Sequence, residues 1–163
     1  MWTLCPEIAG DLAYASIRSE PVLAFVAGDP LLGGETTVPL ASLADRAFVF
    51  FPRDLAPRLY DFLVGLCRHA GFEPTIRSES FHTGWDMRLL ADTPVVALAP
   101  ASVATDLPEG ITALGLNDVT DRIETALVWR EDGPSTALRA FVETARDVFT
   151  PGRDTPLAPT PDQ

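Results

Sequence analysis

The 163 residues suffice for one average domain or two small lobes, and the 47% hydrophobic and 21% charged residues are typical of a globular protein rather than a disordered one. The net charge of -11, with all twelve basic residues arginine and no basic run, argues against binding of DNA or an anionic membrane by this chain alone. The N-terminus lacks a signal-peptide pattern, and no segment is apolar for long enough to span a bilayer, so we expect a cytoplasmic protein.

Two short apolar runs in the first third of the chain predict buried strands. Residues 20–30 ("EPVLAFVAGDP") end in a Gly-Asp-Pro turn, and residues 47–52 ("AFVFFP") end in a proline. A loop and a short turn-like segment are expected to connect these two strands.

The next segment predicts a helix followed by a third strand. Apolar residues recur at steps of three and four from Leu59 to Ala70, which predicts one buried face, and Asp54 is a candidate cap. Gly71 is expected to end the helix in the left-handed conformation that glycine adopts at little cost. The run "EPTIRSES" then predicts a strand, so strand, helix and strand together indicate the βαβ unit of a parallel sheet.

The second half of the chain predicts further strands and two helices. The expected elements are a helix over residues 83–92, strands over 94–100, 110–116 and 123–131, and an amphipathic helix over 134–149. The apolar face of the last helix is expected to carry Leu138, Phe141, Ala145 and Val148 or Phe149. The tail after Thr150 has four prolines in thirteen residues and is predicted to be disordered.

Motifs for catalysis or cofactor binding are absent from the sequence. It contains no glycine-rich phosphate loop and no nucleophile elbow, and no carboxylate pair stands out by its spacing. Cys67 and His69 alone do not form a metal site, and Cys67 falls on the apolar helix face, where a reduced core thiol is expected. We therefore expect no catalytic residue, metal site or cofactor, and we expect that the protein is not an enzyme.

A ligand site is expected where strands of a parallel sheet end and helices begin. Phe51 and Arg53 follow the second predicted strand, and Phe81, His82 and Thr83 precede the helix over residues 83–92. An arginine beside two helix N-termini favours a small organic anion. Each residue also fits a simpler role: core for the two phenylalanines, solvated surface for the arginine and histidine, and a helix cap for the threonine.

The segments "LYDFLVGLCRHAGFEP", "LLADTPVVALAP" and "LVWREDGPSTALRAFVETAR" resemble, in order and spacing, the C-terminal effector-binding (substrate-binding) domain of LysR-type transcriptional regulators. The resemblance extends over residues 12–149. It implies a two-lobed α/β fold of the type 2 periplasmic-binding-protein-like class, in which a small metabolite between the lobes biases a DNA-bound homo-oligomer. The positions that match the family's effector cleft are Phe51, Pro52, Arg53, Phe81, His82 and Thr83.

The resemblance also divides the chain. It implies a partial first lobe over residues 1–42, a complete second lobe over 43–130, a helix over 131–150 that returns to the first lobe, and a disordered tail over 151–163. The family's winged helix-turn-helix has no counterpart here, and the first lobe is expected to expose apolar faces that a whole lobe covers. The family's "HPLA" is replaced by "DPLL", and two glycines of a later turn by Thr93 and Val95.

The sequence thus predicts an effector-binding domain of a LysR-type regulator that senses a small organic metabolite to control transcription, here without its DNA-binding domain. Its expected partners are a small anionic effector and further copies of itself, with no direct DNA binding and no membrane. A stand-alone small-molecule-binding module of the same fold, a non-functional truncated remnant, and an enzyme on a related bilobal scaffold remain open as alternatives.

Overall fold

The secondary structure comes from a computed structural model, which describes residues 12–27, 34–79, 87–90, 95–130 and 135–149. Its strands and α-helices are β1 Leu12–Ala27, β2 Thr37–Val38, β3 Ala47–Phe50, α1 Pro57–His69, β4 Thr75–Glu79, β5 Val95–Pro100, β6 Ile111–Leu116, β7 Arg122–Arg130 and α2 Thr136–Phe149. The described residues also form short 3₁₀ helices at Leu40–Leu43, Arg53–Leu55, Met87–Leu90 and Ala101–Thr105.

The described strands form one mixed sheet. Its order is β2-β6-β1-β5-β3-β4, and β7 pairs with β1 outside this path. β3 is parallel to both β4 and β5, whereas β1 is antiparallel to β5, β6 and β7. The sheet therefore contains a parallel group of three strands, and the carboxyl ends of these three lie at one edge.

Strand β1 changes its partners halfway along its length. Residues 12–21 form a two-stranded ribbon with β7, and residues 23–26 lie between β5 and β6. Val22 pairs with β5 and Ala27 with β6. The strand begins at Leu12 rather than at the predicted residue 20, because pairing with β7 through the backbone does not require an apolar side-chain pattern. Residues 22–27 were expected in the partial first lobe, and β3 and β5 in the second lobe, but all of them belong to one sheet. The division into lobes at residue 43 stays a prediction.

The predicted βαβ unit is confirmed as β3, α1 and β4. The two strands are parallel, with Ala47 opposite Thr75. The buried face of α1 consists of Leu59, Leu63, Val64, Leu66 and Cys67. These side chains belong to the same hydrophobic core as the buried residues of the strands, and burying one leucine of this kind contributes about 1.5–3 kcal/mol.

The two ends of α1 differ in how well the sequence predicted them. Gly71 has φ +93°, and the Phe72 N–H donates to the carbonyl of Cys67 at 3.1 Å, which is the predicted glycine stop. The expected cap at Asp54 is wrong, because Ala56 occupies the N-cap position and makes no side-chain hydrogen bond. Pro57 at the first helical position has no N–H, so the first turn has one unpaired donor fewer.

Helix α2 is confirmed within the predicted range, and it buries only part of its apolar face. The Leu138 N–H donates to the Ser135 hydroxyl at 3.1 Å, which caps the first turn. Val142 and Ala145 are buried, as α2 packs against β1. Three other apolar side chains remain exposed: Phe141, Val148 and Phe149.

The other predicted helix, over residues 83–92, is described only at Met87–Leu90, which is a 3₁₀ helix. Its start at Thr83 lies outside the described residues, as does the tail over residues 151–163. Within the described part of the chain, no helix is long and apolar enough to cross a membrane.

Replacement by alanine should change the free energy of unfolding in opposite directions at two glycines of the α1 region. Gly71→Ala should lower the free energy of unfolding by about 1–2 kcal/mol, because an L side chain is strained at φ +93°. Gly65→Ala, inside α1 with open space within 4 Å of an added Cβ, should raise it by up to about 1 kcal/mol. Urea unfolding of both variants measures this difference. A Gly71→Ala protein as stable as Gly65→Ala would contradict the assigned helix end.

Candidate functional site

The carboxyl ends of β3 and β5 define the candidate site. Because the two strands are parallel, residues 51–53 after β3 and residues 101–105 after β5 lie at the same edge of the sheet. We call these two segments the site edge. Strand β4 is also parallel to β3 and ends at this edge, but residues 80–86, which follow it, lie outside the described residues.

Phe51 and Pro52 line the inner part of the site edge. Phe51 is buried, and its ring meets the Tyr60 ring of α1 edge-on, with 6.1 Å between the ring centroids. Pro52 is half-buried and precedes the 3₁₀ helix Arg53–Leu55. Phe51 therefore has the core role that the sequence left open, and it fixes the position of the residues that follow it.

Arg53 supplies a positive charge at the site edge, and an acidic side chain of α1 binds it. Its Nε and Nη2 donate to the two carboxylate oxygens of Asp61 at 2.7 Å and 2.6 Å. Both side chains are more than half exposed. The hydrogen bond to Asp61 raises the pKa of Arg53, and the same bond lowers the pKa of Asp61. A ligand anion would have to share or displace this carboxylate.

Three of the six predicted site residues lie in the described part of the chain. Phe51, Pro52 and Arg53 are consecutive at the site edge. The other three, Phe81, His82 and Thr83, lie outside the described residues, so their approach to Arg53 stays a prediction.

A buried carboxylate that contacts the segment 101–105 of the site edge was not predicted. Glu20 is only 5% exposed and is the sole charged residue among the described ones that is buried. Its Oε2 accepts from the Ser102 N–H at 2.7 Å, and its Oε1 accepts from the Ser102 hydroxyl at 3.2 Å. Arg18 Nε lies 3.2 Å from the same Oε1. We call Arg18, Glu20 and Ser102 the Glu20 cluster.

The sequence offered only a weak signal for this cluster. Glu20 stands directly before a proline and an apolar strand, where a solvated acidic residue is the usual interpretation. Its partner Ser102 is 82 residues away and follows a different strand, so no local spacing connects the two. A buried carboxylate needs donors, and these become visible only when the strand pairing is known.

Other chemistry is limited in the described part of the chain. These residues contain no group of three or more His, Cys, Asp or Glu side chains that could hold a metal ion. Cys67 is a free, buried thiol, as predicted, and burial raises its pKa to about 12. At neutral pH it is therefore protonated and unsuited to act as a nucleophile.

Comparisons with known proteins identify the family. The family model of the LysR substrate binding domain matches residues 4–150. The HTH-type transcriptional regulator IlvR of Caulobacter vibrioides is 33% identical over 131 residues, which cover 80% of this chain and 43% of that regulator. The HTH-type transcriptional regulator BudR of Raoultella terrigena is 28% identical over 127 residues, which cover 78% of this chain and 44% of that regulator.

Solved structures show the same fold. CbnR, a LysR family transcriptional regulator, superposes with a TM-score of 0.73 at 23% identity, over 91% of this chain and 51% of that one. The BenM effector binding domain with its effector benzoate superposes with a TM-score of 0.74 at 19% identity, over 91% of this chain and 67% of that one.

The chain belongs to the LysR substrate-binding domain family, as the sequence predicted. The mixed α/β sheet and the effector-binding domains it superposes on confirm the predicted periplasmic-binding-protein-like fold class. The chain spans less than half the length of IlvR and BudR.

The Cys67 thiol should be unreactive in the folded protein. In a Cys5→Ser variant, which leaves Cys67 as the single thiol, iodoacetamide at pH 8 should label the folded protein far more slowly than the urea-unfolded chain. The reason is burial, which blocks access and keeps the thiol protonated because its pKa is raised to about 12. Mass spectrometry measures the labelled fraction. Equal labelling rates for the folded and the urea-unfolded protein, in a variant whose circular dichroism matches the wild type, would place Cys67 outside the core.

Proposed function

We propose that this chain is the effector-binding part of a LysR-type transcriptional regulator and that it senses a small organic molecule to control transcription. The observation that carries the proposal is the family match over residues 4–150. The two curated relatives are named as transcriptional regulators, which favours a regulatory rather than an enzymatic role.

The effector site we propose consists of Phe51, Pro52, Arg53, Phe81, His82 and Thr83. Support comes from the position of residues 51–53 at the carboxyl edge of parallel strands, where ligands bind in open α/β sheets. Arg53 is exposed, and its planar guanidinium suits a carboxylate. A related domain was solved with benzoate as its effector, which supports an organic anion as the class of ligand.

The proposed partners follow from the same family role. We propose that the regulator acts as a homo-oligomer in the cytoplasm and that this chain does not itself contact DNA or a membrane. Support for association comes from the exposed apolar side chains of α2, since Phe141 is 59% and Val148 is 70% exposed. Support for the absence of DNA contacts comes from the net charge of -11.

Arg53 should contribute to the affinity for an anionic ligand. A thermal-shift and calorimetric screen of aliphatic and aromatic carboxylates, benzoate included, should identify a ligand. Arg53→Ala should then weaken its binding by about one to two decades, the usual effect of losing a charge-assisted hydrogen bond. Asp61→Asn should strengthen binding, because the carboxylate that competes for the Arg53 guanidinium is removed.

Arg68→Ala is the matched control for Arg53→Ala. Arg68 is an exposed arginine at the other end of α1, and Glu73 binds it through two hydrogen bonds in the same way that Asp61 binds Arg53. Its loss should leave the affinity unchanged. Equal effects of the two arginine variants would mean that only the total charge matters, and an unchanged affinity in Arg53→Ala would place the site elsewhere.

The isolated chain should not bind DNA. A gel-shift experiment with random duplex at low salt gives the strongest phosphate attraction and is therefore the most demanding condition. At micromolar protein we expect no retardation, because a net charge of -11 repels the duplex. Retardation that disappears with added salt would reveal a basic surface that these residues do not predict.

A further inference from the structure

Glu20 lies where β1 passes from one set of partners to the other. Glu20 pairs with Ile123 of β7 in the ribbon, and two residues later Val22 pairs with Pro100 of β5 in the sheet. The backbone register of the ribbon also shifts between Ser16 and Arg18, which marks an irregularity just before this point. The Glu20 carboxylate thus lies at the junction between the ribbon and the sheet.

The partners of the Glu20 carboxylate come from both sides of this junction. Arg18 belongs to the ribbon, whereas Ser102 belongs to the segment 101–105 of the site edge. A carboxylate that is only 5% exposed is costly to leave without donors. A movement of the ribbon against the site edge would therefore break charge-assisted hydrogen bonds at a buried site.

We propose that the Glu20 cluster couples the position of the β1–β7 ribbon to the conformation of residues 101–105 at the site edge. Glu20 is a positioning residue, which holds the Ser102 N–H and hydroxyl in place and thereby fixes the angle at which β1 leaves the sheet. A change at residues 101–105 alters these hydrogen bonds and so reaches the ribbon, which leads to the chain segments at Leu12 and Arg130.

This coupling is a property of the fold and does not depend on the proposed effector site. If the site edge binds a ligand, the Glu20 cluster is the route by which the ribbon responds. If the site edge binds none, the coupling between Ser102 and the ribbon is still present and still measurable. The two proposals can therefore fail separately.

Amide hydrogen exchange of the full chain, resolved by NMR, tests the coupling. In Glu20→Ala, the Ser102 amide should exchange about tenfold to a hundredfold faster than in the wild type, as expected for the loss of a hydrogen bond to a charged group. The ribbon amides of residues 18–20 and 122–125 should also exchange faster than in the wild type. Amides in the middle of the sheet, at Phe25 and Leu98, should keep wild-type rates.

Two further variants make the test specific. Glu124→Gln removes the same charge from the facing strand of the ribbon, opposite Ser19, and should leave the Ser102 amide unchanged. Glu20→Gln keeps an oxygen that accepts from the Ser102 N–H but loses the charge, so its effect should be smaller than that of Glu20→Ala.

Several outcomes would overturn the coupling. An unchanged Ser102 amide in Glu20→Ala would show that the hydrogen bond is not formed. Acceleration at Ser102 without any in the ribbon would show that the two parts are independent. A uniform acceleration that includes Phe25, or failure of both Glu20 variants to fold, would show that Glu20 supports the whole fold rather than a connection between two parts.

Discussion

The described fold depends on one backbone constraint, the double pairing of β1. A strand in the middle of a sheet must satisfy its N–H and C=O groups on both sides, and residues 23–26 do so with β5 and β6. Ala24, Phe25 and Val26 are accordingly almost fully buried. The same strand then continues into the ribbon with β7. Because β1 leaves the sheet beside the carboxyl end of β5, the ribbon and the site edge are neighbours, and this proximity brings Glu20 to Ser102.

The charged side chains of Arg53 and Glu20, in and beside the site edge, have partners within the protein. Glu20 is held by Ser102 and Arg18, and Arg53 is held by Asp61. At the effector site that we propose, an anionic ligand would compete with Asp61 for Arg53, and its affinity would reflect the difference between the two interactions. Since Arg53 lowers the pKa of Asp61, mild acidification does not remove this competitor. Selectivity would then depend on how well a ligand's carboxylate matches the geometry of the bidentate pair.

The sequence predicted correctly those elements that depend on residues close together in the chain. The three- and four-residue spacing of apolar side chains gave α1 its correct face, and the glycine stop at Gly71 follows from its left-handed conformation. The first half of β1 was missed because its apolar and polar side chains do not alternate cleanly, and its pairing with β7 appears only in the folded chain. The cap at Asp54 failed because Ala56 takes the N-cap position. The Glu20 cluster joins residues 82 apart, and such pairing appears only in the folded chain.

Cross-strand nuclear Overhauser effects from β1 test the double pairing most directly. In the uniformly labelled chain, Ala24 should show contacts to both Leu98 of β5 and Leu114 of β6, and Ala15 should show contacts to Leu127 of β7. Observation of all three sets would establish one strand shared by the sheet and the ribbon. Contacts from Ala24 to only one neighbouring strand would contradict the fold and, with it, the placement of the site edge beside the ribbon.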